Sequence, residues 1–180
     1  MYFENKGPGN TAATVELALQ AARQRGLRHL VVASGTGETA RLFTAAEDLE
    51  IVCVTSANGF PQDGAGLMKG DTRAELEGKS IKVLTASHVL SGVERGLSSQ
   101  SGGMYPAEIM SNTLRMFGQG LKVCVEISIM ALDAGLIPFG QKIVAVGGTG
   151  RGADTAVIIT PAHAAKVLGT RIHKIICKPA

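Results

Sequence analysis

The residue types best suited to chemistry crowd into one short run, Leu30-Val-Val-Ala-Ser-Gly-Thr-Gly-Glu-Thr-Ala-Arg-Leu42. Ser34, Thr36 and Thr39 offer hydroxyls, and Glu38 adds a carboxylate. Gly35 and Gly37 let the backbone turn sharply and come close to a ligand. The apolar residues before them predict a buried strand, and those after them the first turn of a helix. Such a turn points free N–H groups and the positive end of the helix dipole at an anion, which for a metabolite is usually phosphate. A phosphorylated small molecule is therefore the expected partner. The same residues also suit a plain strand-to-helix turn with Thr36 as its cap. No Lys stands where a Walker loop needs one, and the third glycine of the dinucleotide fingerprint is missing, so nucleotide hydrolysis is disfavoured.

A second run, Val146-Gly-Gly-Thr-Gly-Arg-Gly-Ala-Asp-Thr155, lies between two apolar stretches. Successive N–H groups of Gly147, Gly148 and Thr149 can form an anion nest, Arg151 can grip phosphate with two hydrogen bonds, and Gly152, Asp154 and Thr155 complete the loop. A flexible connection between strands is the alternative. Ligands of open α/β sheets sit outside the carboxyl ends of the strands, so both glycine runs are expected to line one crevice.

A third run, Ser87-His-Val-Leu-Ser-Gly-Val-Glu-Arg-Gly96, sets His88, Ser91, Glu94 and Arg95 among apolar neighbours. His88 suits acid–base work near neutral pH, or a structural hydrogen bond. Glu126 is the only acid within Val123–Leu132. A buried carboxylate needs a partner, and Arg95, His88, a backbone N–H or a ligand hydroxyl would serve. No G-x-S-x-G elbow occurs, and His29, His88, His163 and His173 lack metal-ligand spacing, so neither a serine triad nor a metal site is expected.

The elements that position these residues follow from periodicity and punctuation. Asn10 and Thr11 start a helix running to about Arg25, with Val15, Ala18, Leu19 and Ala22 as its apolar stripe. Strands are expected at Leu30–Ala33, Ile51–Thr55, Ile81–Thr85, Ile143–Val146, Ala156–Thr160 and Ile172–Cys177. Helices are expected at Glu38–Asp48, Asp71–Glu77, Pro106–Phe117 and, briefly, Ala162–Leu168. Ser56–Gly70, which contains Pro61, and Ser91–Gly103 read as long loops. Leu121–Ala134 is apolar on nearly every side. Its length favours a buried helix over a strand, with Asp133 and Gly135 marking its end. Strands alternating with helices predict one α/β domain over residues 1–180, with a mostly parallel central sheet, helices on both faces and room for an antiparallel edge strand.

Composition fits this picture. Of 180 residues, 45% are hydrophobic and 18% charged, without any Trp. A net charge of +3 with scattered Lys and Arg predicts no nucleic-acid partner. Apolar runs are too short for a membrane span, and residues 1–8 do not resemble a signal peptide. Isolated Cys53, Cys124 and Cys177 suit reduced, buried thiols in a cytoplasmic protein. An apolar edge strand at Ile172–Cys177 would allow a homo-oligomer.

The run Leu30–Ala40, followed by Arg41-Leu-Phe43 and Ile51-Val-Cys-Val-Thr55, resembles the C-terminal α/β domain of pyruvate kinase. Ser34, Thr36, Gly37, Thr39 and Ala40 fall on the small positions of its Thr-x-Ser-Gly-x-Ser/Thr-Ala turn, which in pyruvate kinases holds a phosphate of the sugar effector. Gly147–Thr155 resembles that domain's Gly/Thr-rich loop. The whole chain is similar to stand-alone archaeal and bacterial relatives of the domain, through Ser87–Arg95, Gly120–Ile127 and Gly152–Val157. That group implies bound flavin mononucleotide (FMN), with the phosphate on Ser34, Gly35, Thr36, Gly37 and Thr39. Gly148, Thr149, Arg151, Gly152 and Asp154 would then line the far side, and His88, Ser91, Glu94 and Glu126 would face the ring or ribityl chain. The catalytic barrel of pyruvate kinase is missing, so pyruvate kinase activity is not implied. Glu38 stands where sugar-effector sites are often basic. The expected function is binding of a phosphorylated cofactor, FMN first. A non-catalytic sensor of a sugar phosphate or similar metabolite is the alternative, and no residue is assigned to catalysis.

Overall fold

A computed structural model describes every residue except Pro61. Seven strands form one sheet: β1 (Tyr2–Phe3), β2 (His29–Ala33), β3 (Glu50–Val54), β4 (Lys82–Leu84), β5 (Ile143–Gly147), β6 (Thr155–Thr160) and β7 (Arg171–Pro179), in the order β1-β7-β6-β5-β2-β3-β4. The helices are α1 (Thr11–Gln24), α2 (Glu38–Arg41), α3 (Gly70–Gly78), α4 (Gly92–Ser101), α5 (Pro106–Arg115) and α6 (Gln119–Asp133). The predicted α/β class with a mostly parallel sheet is what forms.

Alternation along the strands divides the core in two. Leu30, Val32, Cys53, Val144, Val146, Ala156 and Ile158 pack with α1 on one face. Val31, Val52, Val54, Ala145, Val157 and Ile159 pack with α6 on the other. Strands covered on both faces need apolar residues at consecutive positions, which is why β2 and β5 read as unbroken Val/Leu/Ile/Ala runs. The Leu121–Ala134 stretch is a helix, as its length implied, and twelve of the fifteen residues of α6 are buried. All three cysteines are free and buried. Burial pushes the Cys53 thiol up to about 12, so it is inert as a nucleophile at neutral pH.

Four expectations need correction. The antiparallel strand is β6, which lies inside the sheet between β5 and β7, not at its edge. The loop following β5 is therefore a hairpin connection. Second, α2 is a single turn ending at Arg41, where a helix to Asp48 was expected. Third, most of Ser91–Gly103 is helical. In α4, Ser99 and Ser101 hydroxyls donate to the carbonyls one turn back, so they do not compete with the helix, and the Ser98 hydroxyl donates to Glu108 on α5 at 2.8 Å. Fourth, the segment after β6 is a 3₁₀ stretch, Ala164–Gly169. The Ser56–Gly70 connection is irregular over its described residues, and Pro61 lies outside them. No described helix is long and apolar enough to cross a membrane.

The two ends of the chain meet. β1 pairs with β7 in parallel, Tyr2 opposite Lys178 and Phe3 opposite Pro179. Nearer its start, β7 exposes Arg171, Ile172, His173 and Lys174, so that stretch of edge is basic, a composition that discourages strand-to-strand association. The segment after β1 is tied to the hairpin loop by Asp154, which is fully buried. Asp154 Oδ2 accepts the Gly7 N–H at 2.9 Å and Oδ1 accepts the Thr155 hydroxyl at 2.8 Å. Asp154→Ala would leave both donors without a partner. We expect a loss of about 2–3 kcal/mol in urea unfolding; an unchanged midpoint would contradict the tie.

Candidate functional site

β2, β3, β4 and β5 run parallel, so their carboxyl ends share one edge of the sheet. Across that edge stand, in order, the loop after β5, the Ser34–Gly37 turn after β2, Thr55 and Ser56 after β3, and the His88 loop after β4. The structure thus brings the two glycine runs and His88 to one edge, as the strand-end argument required.

At the first turn, Ser34 N–H donates to Val54 O at 3.0 Å, and Ser34 Oγ accepts the Ala40 N–H at 3.4 Å. Thr36 Oγ1 accepts the Glu38 N–H at 3.5 Å. Gly37 has φ +93°, and a Cβ there would lie 2.5 Å from the Thr72 methyl on α3, so glycine is required for both conformation and packing. Ser34 and Thr39 are buried, leaving Thr36 as the exposed hydroxyl and Glu38 turned to solvent. Because α2 is one turn long, its dipole contributes little. The N–H groups of Gly35, Thr36 and Gly37, which have no acceptor among the described residues, are what the turn offers an anion.

The second loop is more inward than its composition suggests. A Cβ on Gly148 would collide with the Gly152 carbonyl, and one on Gly152, at φ +67°, with Thr11 and Pro8. Ala153 N–H donates to Thr11 Oγ1 at 3.0 Å. Gly147, Gly148, Gly152, Asp154 and Thr155 therefore serve the loop's own packing. Asp154 in particular is spent on Gly7 and Thr155 and does not face a ligand. Thr149, half-buried, and Arg151, exposed, are what this loop presents outward.

The third group is built on a buried charge pair. Lys122 Nζ lies 2.5 Å from Glu126 Oε2, one helical turn apart on α6, with both side chains almost wholly buried. Glu126 Oε1 accepts the Leu90 N–H at 3.0 Å, and His88 Nδ1 stands 3.8 Å from Oε2. His88 Nε2 is 3.4 Å from the Thr55 carbonyl. Thr55 and Thr85 share a hydroxyl hydrogen bond of 2.8 Å, and Arg73 donates to Thr85. Burial holds the Lys122 ammonium below its ordinary value despite Glu126, and the positive charges of Arg115 and Arg95 press the same way. Glu126 thus meets two of its expected partners, His88 and a backbone N–H, but its nearest charge is Lys122, which was not expected, and not Arg95. The signal was present: a Lys four residues before a Glu on a helix. Ser91 stands at the residue before α4 without a side-chain capping bond, and its N–H donates to His88 O at 3.2 Å. Glu94 lies apart from this group, its Oε2 accepting the Ala107 N–H at 2.8 Å at the start of α5. No cluster of three metal-ligating side chains exists among the described residues.

A family model described as "Pyruvate kinase, alpha/beta domain" matches residues 12–159. Among solved structures, a pyruvate kinase from Cryptosporidium parvum is similar at 17% identity over 86% of this chain and 24% of its own length, with a TM-score of 0.43. The Cryptosporidium parvum pyruvate kinase in complex with ADP matches at 17% identity and the same coverage, with a TM-score of 0.42. The chain spans about a quarter of the length of these structural neighbours.

Removing Lys122 should expose how the pair is held. Lys122→Met leaves a buried carboxylate without its counter-charge, and we expect a loss of about 3–5 kcal/mol by urea unfolding. The double variant Lys122→Met/Glu126→Leu should lose less than Lys122→Met alone; equal losses would show that charge is not the cause. A pH effect follows from the lowered Lys122 value. Between that value and 10.5 the unfolded chain binds the extra proton, so stability relative to Lys122→Met should rise with pH there. A flat difference across alkaline pH would contradict the lowered value.

Proposed function

The chain belongs to the pyruvate kinase α/β-domain family, and from that premise we propose that it binds a phosphorylated cofactor, FMN, across the carboxyl edge of its sheet. The observation that carries the reading is the set of unengaged donors at this edge. The N–H groups of Gly35, Thr36 and Gly37 have no acceptor among the described residues, and the exposed Arg151 on the neighbouring loop makes no salt bridge among them. A dianionic phosphate would satisfy those donors.

The donor set suits the group. The free N–H groups of Gly35, Thr36 and Gly37, the Thr36 hydroxyl and the Arg151 guanidinium can hold phosphate oxygens. The hydroxyls of Ser56 and Ser87 and the imidazole of His88, on the loops after β3 and β4, would serve ribityl hydroxyls and the polar edge of a ring. Bound flavin would itself supply the electron chemistry, and the protein's part is to hold and orient it. Lys122 and Glu126 form a buried pair behind the His88 end of this edge, and Glu126 holds the Leu90 N–H and stands beside His88. Glu94 and Asp154, committed elsewhere, are not part of this binding set. Regulation by a phosphorylated metabolite without catalysis would use the same phosphate groups and is the second outcome of the test below.

Freshly purified protein should absorb blue light and release FMN on heating. Thr36→Val and Arg151→Met should each weaken FMN retention roughly tenfold, the effect of losing one charge-assisted or neutral hydrogen bond of about 1.4 kcal/mol. Colourless protein that also fails to take up added FMN would overturn the flavin reading. Stabilisation by sugar phosphates, abolished by the same two variants, would then assign the site to metabolite sensing.

A further inference from the structure

The opposite edge of the sheet carries a second group of side chains, independent of the FMN reading. Asp133 is the last residue of α6, and His163 follows shortly after β6. His163 Nδ1 lies 2.6 Å from Asp133 Oδ1, and Asp133 Oδ2 accepts the Ala164 N–H at 3.1 Å. A carboxylate fixed through both oxygens cannot swing away. It makes Nδ1 the proton-bearing nitrogen of the neutral ring and leaves Nε2 as an acceptor. Phe139 lies nearly parallel to the imidazole, centroids 5.5 Å apart at 10°, and fixes the plane of the ring. Phe139 itself is 71% exposed, so its remaining surface is open.

These two rings wall a cavity of about 340 Å³, together with Thr160, Pro161, Ala162 and Lys166. That volume lies in the range of small-molecule sites. Thr160 shares a hydrogen bond of 2.9 Å with His173 Nε2, which fixes its hydroxyl at the cavity wall. Lys166 forms no salt bridge among the described residues. Capping of the 3₁₀ stretch accounts for the Asp133 bond to Ala164. It does not account for an oriented imidazole, an open aromatic face and an unpaired ammonium around one cavity.

We infer that this cavity binds a small hydroxylated aromatic acid. The ring packs on Phe139, the hydroxyl donates to His163 Nε2, and the carboxylate faces Lys166. Each group selects one feature of the ligand. A bare anion leaves the aromatic wall unused, a neutral ring leaves the ammonium unpaired, and a ring acid without a hydroxyl leaves Nε2 unpaired.

The probe is 4-hydroxybenzoate, titrated into the full chain while imidazole nitrogen resonances are followed, with benzoate as its comparison. The expected result is a saturable shift at His163 Nε2, with benzoate binding about tenfold more weakly for want of one hydrogen bond. Phe139→Ala and Lys166→Met should each weaken 4-hydroxybenzoate several-fold. His163→Asn, at an exposed position where the fold is not at risk, should abolish the preference over benzoate. No shift at millimolar probe, equal affinity for the two acids, or full binding by Phe139→Ala and Lys166→Met would each overturn the assignment.

Discussion

Glu126 is a carboxylate almost without water, and much of the architecture on one side of the sheet answers to it. Lys122 neutralises it from one turn away, and the Leu90 N–H takes its other oxygen. The Leu90 contact fixes α6 relative to the loop after β4. Sliding the helix by one residue would carry the carboxylate away from Leu90, on a helix whose other buried residues are mostly apolar. A purely apolar helix of the same volume would pack with similar stability, because desolvating two charges offsets most of their attraction. What the carboxylate contributes is register: its bond to the Leu90 N–H holds α6 against the loop whose His88 lies beside Thr55.

A second constraint is that this edge must close on itself before it can offer anything to a ligand. Composition marks Gly147–Thr155 as a phosphate cradle, yet three of its glycines are dictated by contacts with Gly120, Ala153, Thr11 and Pro8. Glycine in a loop signals that something approaches closely; it does not say whether a ligand or the chain's own backbone is approaching. The residues left outward are few, Thr149, Arg151 and Thr36, beside unoccupied N–H groups at the Ser34 turn.

The strands were legible because burial on both faces demands long runs of Val, Ile, Leu and Ala, and six of the seven fall within two residues of where those runs begin. β1, two residues long, carries no such run. The gathering of the glycine runs and His88 at one edge was legible in outline, since parallel strands bring their carboxyl ends together without any further tertiary information. Lys122 was missed because it stands at the margin of the apolar stretch, where a lysine ordinarily reaches solvent; its burial depends on α5 and the α4 loop packing over it. The helix α4 was hidden by its own composition. Gly and Ser argue for loop locally, and the ties that hold it, from Glu94 to Ala107 and from Ser98 to Glu108, join residues ten or more apart. The place of β6 inside the sheet was likewise invisible, because strand order is a property of pairing and not of any one segment.

The meeting of β1 with β7, and of Gly7 with Asp154, has a meaning in time as well as in space. A ribosome releases the first residues long before the last, so Tyr2 and Phe3 have no partner until Lys178 and Pro179 emerge. Most of the parallel core, from β2 to β5, can assemble while the opening segment waits. The closing of the ring of contacts is then a late event that spans nearly the whole chain, and contacts of such separation are slow to form. A nascent chain stalled short of β7 would hold its central strands while residues 2–3 still lacked their partner strand and stayed open to proteases and chaperones until β7 emerges.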